Sequence, residues 1–91
     1  LDAGEISGLA QWCRLDWEPH FLSLTRSVRA KRGPEKQVAF VAMLHGAAQG
    51  RMESVMKNQT CTPAHKERIQ RMMQESLDQN RKAAREAVQK G

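Results

Sequence analysis

The chain has only two cysteines, Cys13 and Cys61, 48 positions apart, and each sits at the edge of a segment with helical patterning. Such a pair can staple the first part of a helical bundle to its last long helix. Closing a loop of this length is worth about 4 kcal/mol on the chain-entropy account. That matters for 91 residues, because so short a chain buries a modest share of its surface and has a small core. The alternative is two free thiols, with Cys13 as a small core residue. It leaves Cys61 exposed before a helix N-terminus, where a thiol is acidified and reactive. A bridged pair is expected, and with it an oxidising compartment. A first residue other than methionine, Leu1, is expected of a mature secreted chain after leader removal, or of a trimmed one.

The hydrophobic pattern is helical nearly throughout and predicts an all-α fold: a small antiparallel bundle of about four helices with one disulfide, forming a single domain over residues 1–91. The expected helices cover approximately residues 4–14, 17–32, 34–57 and 63–88. In the first, Ile6, Leu9, Ala10 and Cys13 share one stripe, and Gly8 weakens it. Asp16 is placed to cap the second helix, with Pro19 in its first turn, where the missing N–H costs little. Trp17, Phe21, Leu24 and Val28 form its expected buried face, and Gly33-Pro34 ends it.

Pro34 opens the third helix, whose stripe runs Val38, Val41, Leu44, Ala48, Met52, Val55 and Met56. Gly46 and Gly50 stand one turn apart and predict close approach of another backbone there. Thr62-Pro63 is a cap followed by proline at the first helical position. Ile69, Met72, Met73 and Leu77 then give an apolar face that fades through Asn80, Ala84, Ala87 and Val88. Those last turns are expected to project into solvent, cover a partner or fray, with Asp78–Lys82 and Glu86–Lys90 paired along the surface. Short connections favour antiparallel neighbours.

The aromatic content is 4%: Trp12, Trp17, Phe21 and Phe40, with no tyrosine. All four lie in the first half, so the second half packs through aliphatic residues and methionine. Five methionines suggest an adaptable core or a soft binding surface. No apolar run approaches the length of a membrane span. The net charge is +5, and it is uneven. Residues 1–25 are acidic, whereas Arg26, Arg29, Lys31, Arg32 and Lys36 make a basic centre. Part of that is explained by cations at a helix C-terminus. The remainder could meet an acidic partner, anionic lipid or nucleic acid, and it makes Arg26, Arg29 and Arg32 the candidate partner-binding residues, with another protein of acidic surface as the expected partner.

Chemistry-bearing motifs are thin. His20, His45, His65 and the cysteines form no HxxxH, HExxH or CxxC spacing, so no metal site and no cofactor is expected. His45, beside the apolar stripe, reads as a packed or bridging histidine, and His65 as exposed. The serines lie in no nucleophile motif. Cys61 and His65, four apart across a helix start, could approach as a dyad, but nothing supplies an oxyanion hole. No catalytic residue is expected. Helix four carries Lys66, Arg68, Arg71, Arg81, Lys82 and Arg85 with acids interspersed, a poor match to a recognition helix. Asn58-Gln59-Thr60 is a glycosylation sequon, relevant only to a eukaryotic secreted protein.

Trp12-Cys13-Arg14, then Phe40-Val41 with Gly46 and Gly50, then Cys61-Thr62-Pro63 followed by Gln70 and Leu77, resemble small periplasmic immunity proteins of the Rap/Tai kind. The chain differs from them in lacking a further cysteine before the glycine helix. The resemblance implies a helical, disulfide-stabilised and often dimeric protein that neutralises a peptidoglycan-cleaving type VI secretion effector by plugging its cleft. Small acid-stress chaperones of the HdeA type share the architecture alone. The expectation is therefore a periplasmic or secreted bacterial protein-binding domain, of the immunity type on the resemblance. The alternatives are a periplasmic stress protein or chaperone, and a cytoplasmic nucleic-acid-binding helical domain.

Overall fold

The computed structural model describes residues 1–31 and 34–90. They form four helices: α1 Ala3–Trp12, α2 Glu18–Ala30, α3 Glu35–Met56 and α4 Pro63–Lys90. The expected end of the second helix at Arg32-Gly33 lies outside the described residues.

Local chemistry explains the helix starts and the end of α1. Asp2 and Glu5 form a reciprocal capping box at α1: Glu5 N donates to Asp2 Oδ1 at 2.8 Å, and Asp2 N donates to Glu5 Oε1 at 3.2 Å. α1 stops at a Schellman turn. Arg14 takes a left-handed conformation, φ 60°. Its N–H bonds to Gln11 O and that of Leu15 to Ala10 O, satisfying carbonyls the helix leaves open. At α2 the cap is Trp17, one residue later than expected, and it makes no side-chain bond. Asp16 Oδ1 instead accepts from Glu18 N at 3.2 Å, with Pro19 inside the first turn. Pro34 is the extended residue before α3 rather than its first member. Thr62 caps α4 as expected: its Oγ1 accepts from His65 N at 3.2 Å, and its own N–H donates to His65 Nδ1 at 3.2 Å.

Successive helices run in opposite directions, and around the bundle they are ordered α1–α3–α2–α4. The most closely packed pairs, α1 with α3 and α2 with α4, therefore run parallel. No contact joins α3 to α4 among the described residues. Small residues let the parallel pairs approach. A Cβ on Gly4 would lie 2.6 Å from Ala48 Cβ, and one on Gly8 would lie 2.5 Å from Gln49 O. Gly46 and Gly50, the glycines expected to admit a neighbouring backbone, have open space where a Cβ would stand. The close approach belongs to α1 instead. Gly8, expected to weaken that helix, is what seats it on α3.

The disulfide joins Cys13, at the end of α1, to Cys61, just before the cap of α4, with Cα atoms 5.4 Å apart. The apolar core gathers at this end: Ala10, Cys13 and Ile69, with Leu9, Trp12, Leu15, Trp17, Met72 and Met73 against them. Trp12 Nε1 donates to Gln59 O at 3.0 Å, and the Trp12 ring meets His65 edge-on at 5.5 Å. His65 is thus partly covered, not free.

Beyond that end the interior turns polar. On α2 the buried residues are His20, Ser23, Thr25 and Ser27. Phe21, Leu24 and Val28, expected to be buried, are half-covered. The C-terminal turns of α4 stay helical to Lys90 and lie partly against α2. Asn80 Nδ2 donates to Ser23 Oγ at 3.1 Å, and Ala83, Ala84 and Ala87 are partly covered along the α2 seam. On the surface of α4, Lys82 approaches Glu86 at 4.0 Å rather than Asp78, and Asp78 accepts from Gln74 Nε2 at 2.9 Å.

Candidate functional site

One buried hydrogen-bond chain touches all four helices. His45 Nε2 on α3 lies 2.9 Å from Ser7 Oγ on α1, and Ser7 Oγ lies 2.9 Å from His20 Nδ1 on α2. His20 Nε2 lies 2.7 Å from Ser76 Oγ on α4. His45 Nδ1 is buried with no partner among the described residues. A bare nitrogen lone pair is tolerated there better than an unpaired N–H, which assigns the remaining protons. His45 Nε2–H donates to Ser7, Ser7 donates to His20 Nδ1, and His20 Nε2–H donates to Ser76. Both rings are neutral in this arrangement. Burial, aided by His45, lowers the pKa of His20 from 6.5 to about 4. Burial also lowers that of His45, against a smaller opposing pull from Asp2. Ser7 has 0% exposure, while His45 and His20 each border a surface groove. The serine–histidine cluster is the strut that sets the helix register. Gln49 Nε2 donating to Gln11 Oε1 at 2.7 Å extends the polar seam between α1 and α3.

The candidate arginines separate. Arg29 reaches across to Glu35 at the start of α3, 3.7 Å away with both side chains exposed, a contact worth a few tenths of a kcal/mol at most. Arg26 turns the other way and lines a cleft between α2 and α4 with Ser23, Arg81, Ala84 and Arg85. Arg32 lies outside the described residues. The bridge occupies Cys61, and His65 Nδ1 is engaged by Thr62, so the Cys61–His65 pair holds no free thiol. Among the described residues no group of three or more His, Cys, Asp or Glu could hold a metal ion.

Among the described residues, most of the exposed large apolar side chains lie on α3. Phe40 is 54% exposed, Met43 61% and Leu44 52%, and Ala47 and Gly50 continue the same outward face. Leu44 also borders a groove of about 230 Å³ lined by Ala3, Gly4, Leu24, Val41 and Ala48 among others. Of the five methionines only Met43 is fully on the surface; Met52, Met56, Met72 and Met73 are partly covered. Leu44 and Val55, assigned to the buried stripe, face solvent. Phe40 had no assigned role, although its position about half a turn from Val38, on a helix buried along only one side, is the signal that places it outward.

No helix among the described residues is long and apolar enough to cross a membrane. No family model matches the chain, and neither the curated proteins nor the solved structures hold a significant match to it.

Proposed function

We propose that this chain is a small protein-binding domain of an oxidising compartment, periplasmic or secreted, that engages its partner through the outer face of α3. The observation carrying this reading is the contiguous exposure of Phe40, Met43 and Leu44 beside an apolar groove. Large apolar side chains massed on one helix face are the usual mark of an interaction site. The disulfide is compatible with the compartment. Inhibition of a cell-wall-degrading effector, as the Rap/Tai resemblance implies, is the form of binding we favour.

Charge argues for an unlike partner over a second copy. Lys36 and Arg51 lie on this same outward face, at its two ends. An antiparallel two-fold pairing centred between Met43 and Leu44 would set each Lys36 opposite an Arg51. A partner helix with apolar residues at its centre and carboxylates about 22 Å apart would satisfy both ends, from fifteen residues at the rise of an α-helix.

The test is isolation of the tagged protein from its native host, then titration of the recovered partner against pure protein. One partner at a fixed ratio is expected, weakened at least a hundredfold by F40D/M43D. Many partners in variable amounts would favour the chaperone reading. A self-complex lost with F40D/M43D would favour a homodimer. A partner unaffected by F40D/M43D would overturn the surface assignment.

A further inference from the structure

We propose that the cleft between α2 and α4 is a binding site for a doubly charged oxyanion of the phosphate type, held by Arg26, Arg81 and Arg85. This goes beyond the α3 reading and does not depend on it.

The site follows from helix register. The His20–Ser76 and Ser23–Asn80 bonds lock α2 and α4 in parallel and in step. One turn further on, Arg26 stands beside Ala84, and Arg81 and Arg85 flank that alanine on the α4 side. These five positions, counting Ser23, line a cleft of about 270 Å³. The register thus puts the three arginines on one cleft, and the small side chain of Ala84 leaves space between them. Ser23 does not compete for the ligand, because its hydroxyl donates to His20 O at 2.6 Å and accepts from Asn80.

The chemistry of the lining is one-sided. Among the described residues no carboxylate lines the cleft, and none of the three arginines takes part in an ion pair. Neighbouring cations do have acidic partners: Arg29 has Glu35, and Lys82 has Glu86. Three like charges around one space are relieved by a ligand carrying at least two negative charges. The guanidinium fork binds oxyanions through paired N–H donors. Forks arriving from two helices suit a tetrahedral group better than a planar carboxylate, which a single arginine saturates. The volume admits a substituent on the phosphorus, so a free phosphate and the phosphomonoester of a lipid headgroup share this chemistry.

The experiment uses the oxidised full chain in two arms at constant ionic strength, pH 7.5. In the first, inorganic phosphate is titrated while backbone amide shifts are followed by NMR. In the second, sedimentation measures binding to phosphatidylcholine vesicles with and without phosphatidic acid. Saturable binding in either arm is expected, with amide shifts confined to residues 22–27 and 80–86. R81A/R85A should weaken it at least tenfold and R26A several-fold. K82A removes one charge beside Arg81, as many as R26A removes, and should change it less than twofold. Binding in the vesicle arm alone assigns a lipid source, and binding in the first arm a free phosphate. No saturable binding in either arm would overturn the proposal. So would equal losses in K82A and R81A/R85A, which would mean diffuse attraction to a basic surface. Tighter binding to DNA than to either probe, insensitive to R81A/R85A, would overturn it in favour of a nucleic-acid surface.

Discussion

Acid should loosen this bundle through its own core. His20 and His45 are neutral in the folded state because burial excludes their charged forms, whereas both titrate near 6.5 when unfolded. Native His20 has its pKa lowered to about 4. As pH falls below 6.5 the unfolded chain takes up a proton that the folded chain refuses, so stability falls with pH. Each pH unit between those values is worth about 1.4 kcal/mol. At pH 5 His20 alone removes about 2 kcal/mol, and near pH 4 the loss levels off at about 3 kcal/mol. His45 adds a loss of the same sign. For a domain of this size, 2 kcal/mol is a large share of total stability and lowers Tm by about 10 °C. The assay is urea unfolding of the oxidised protein from pH 7.5 to pH 4.5, for the parent and for H20Q/H45Q. The parent should lose stability steeply below pH 6.5, and the variant, though less stable at neutral pH, should show a clearly flatter profile. A parent whose stability is unchanged between pH 7.5 and pH 5 would refute the reasoning, as would a variant that keeps the full slope.

The glycines offer a paired test. Gly8→Ala places a methyl group against Gln49 O and Met52 Cβ and should destabilise by about 3 kcal/mol. Gly46→Ala and Gly50→Ala enter open space in an exposed helix and should each stabilise by about 0.5–1 kcal/mol; thermal unfolding reads all three. Arg14→Gly removes a side chain from a left-handed position. It should raise stability by about 0.5–1 kcal/mol, after allowing for the freedom glycine adds to the unfolded chain. Reducing the Cys13–Cys61 bridge should cost about 4 kcal/mol, read as a lower urea midpoint in reductant.

What could be read from the chain was local. Thr62-Pro63 marks the start of α4 because a hydroxyl cap and a donor-less first residue act within one turn. The cysteine pair could be read because few arrangements of so short a bundle bring two helix edges together. The Asp2–Glu5 capping box was equally local, a signal present at the chain start but given no role. The face of α2 was hidden for a different reason. Hydropathy selects Phe21, Leu24 and Val28, whereas register is set by His20 and Ser23 bonding across to Ser76 and Asn80. A buried polar residue is acceptable only where its partner exists, and those partners lie on another helix. Both glycine pairs have the same spacing, and local pattern alone weighs them alike. Their difference lies in the helical wheel: Gly46 and Gly50 fall away from the stripe through Val38, His45 and Ala48, whereas Gly4 and Gly8 share the buried side of α1 with Ser7. Arg26 was recognisable as a surface cation, but its companions Arg81 and Arg85 join it only through the parallel pairing of α2 with α4.

The central claim is that the stapled bundle leaves the outer face of α3 free for an unlike protein. The most direct measurement is photo-crosslinking in the native compartment, with the reactive residue placed at position 43 or, on the exposed side of α4, at position 70. A single discrete adduct from position 43, containing one other protein and absent from position 70, is the predicted result. No adduct from position 43, or the same adducts from both positions, would contradict it.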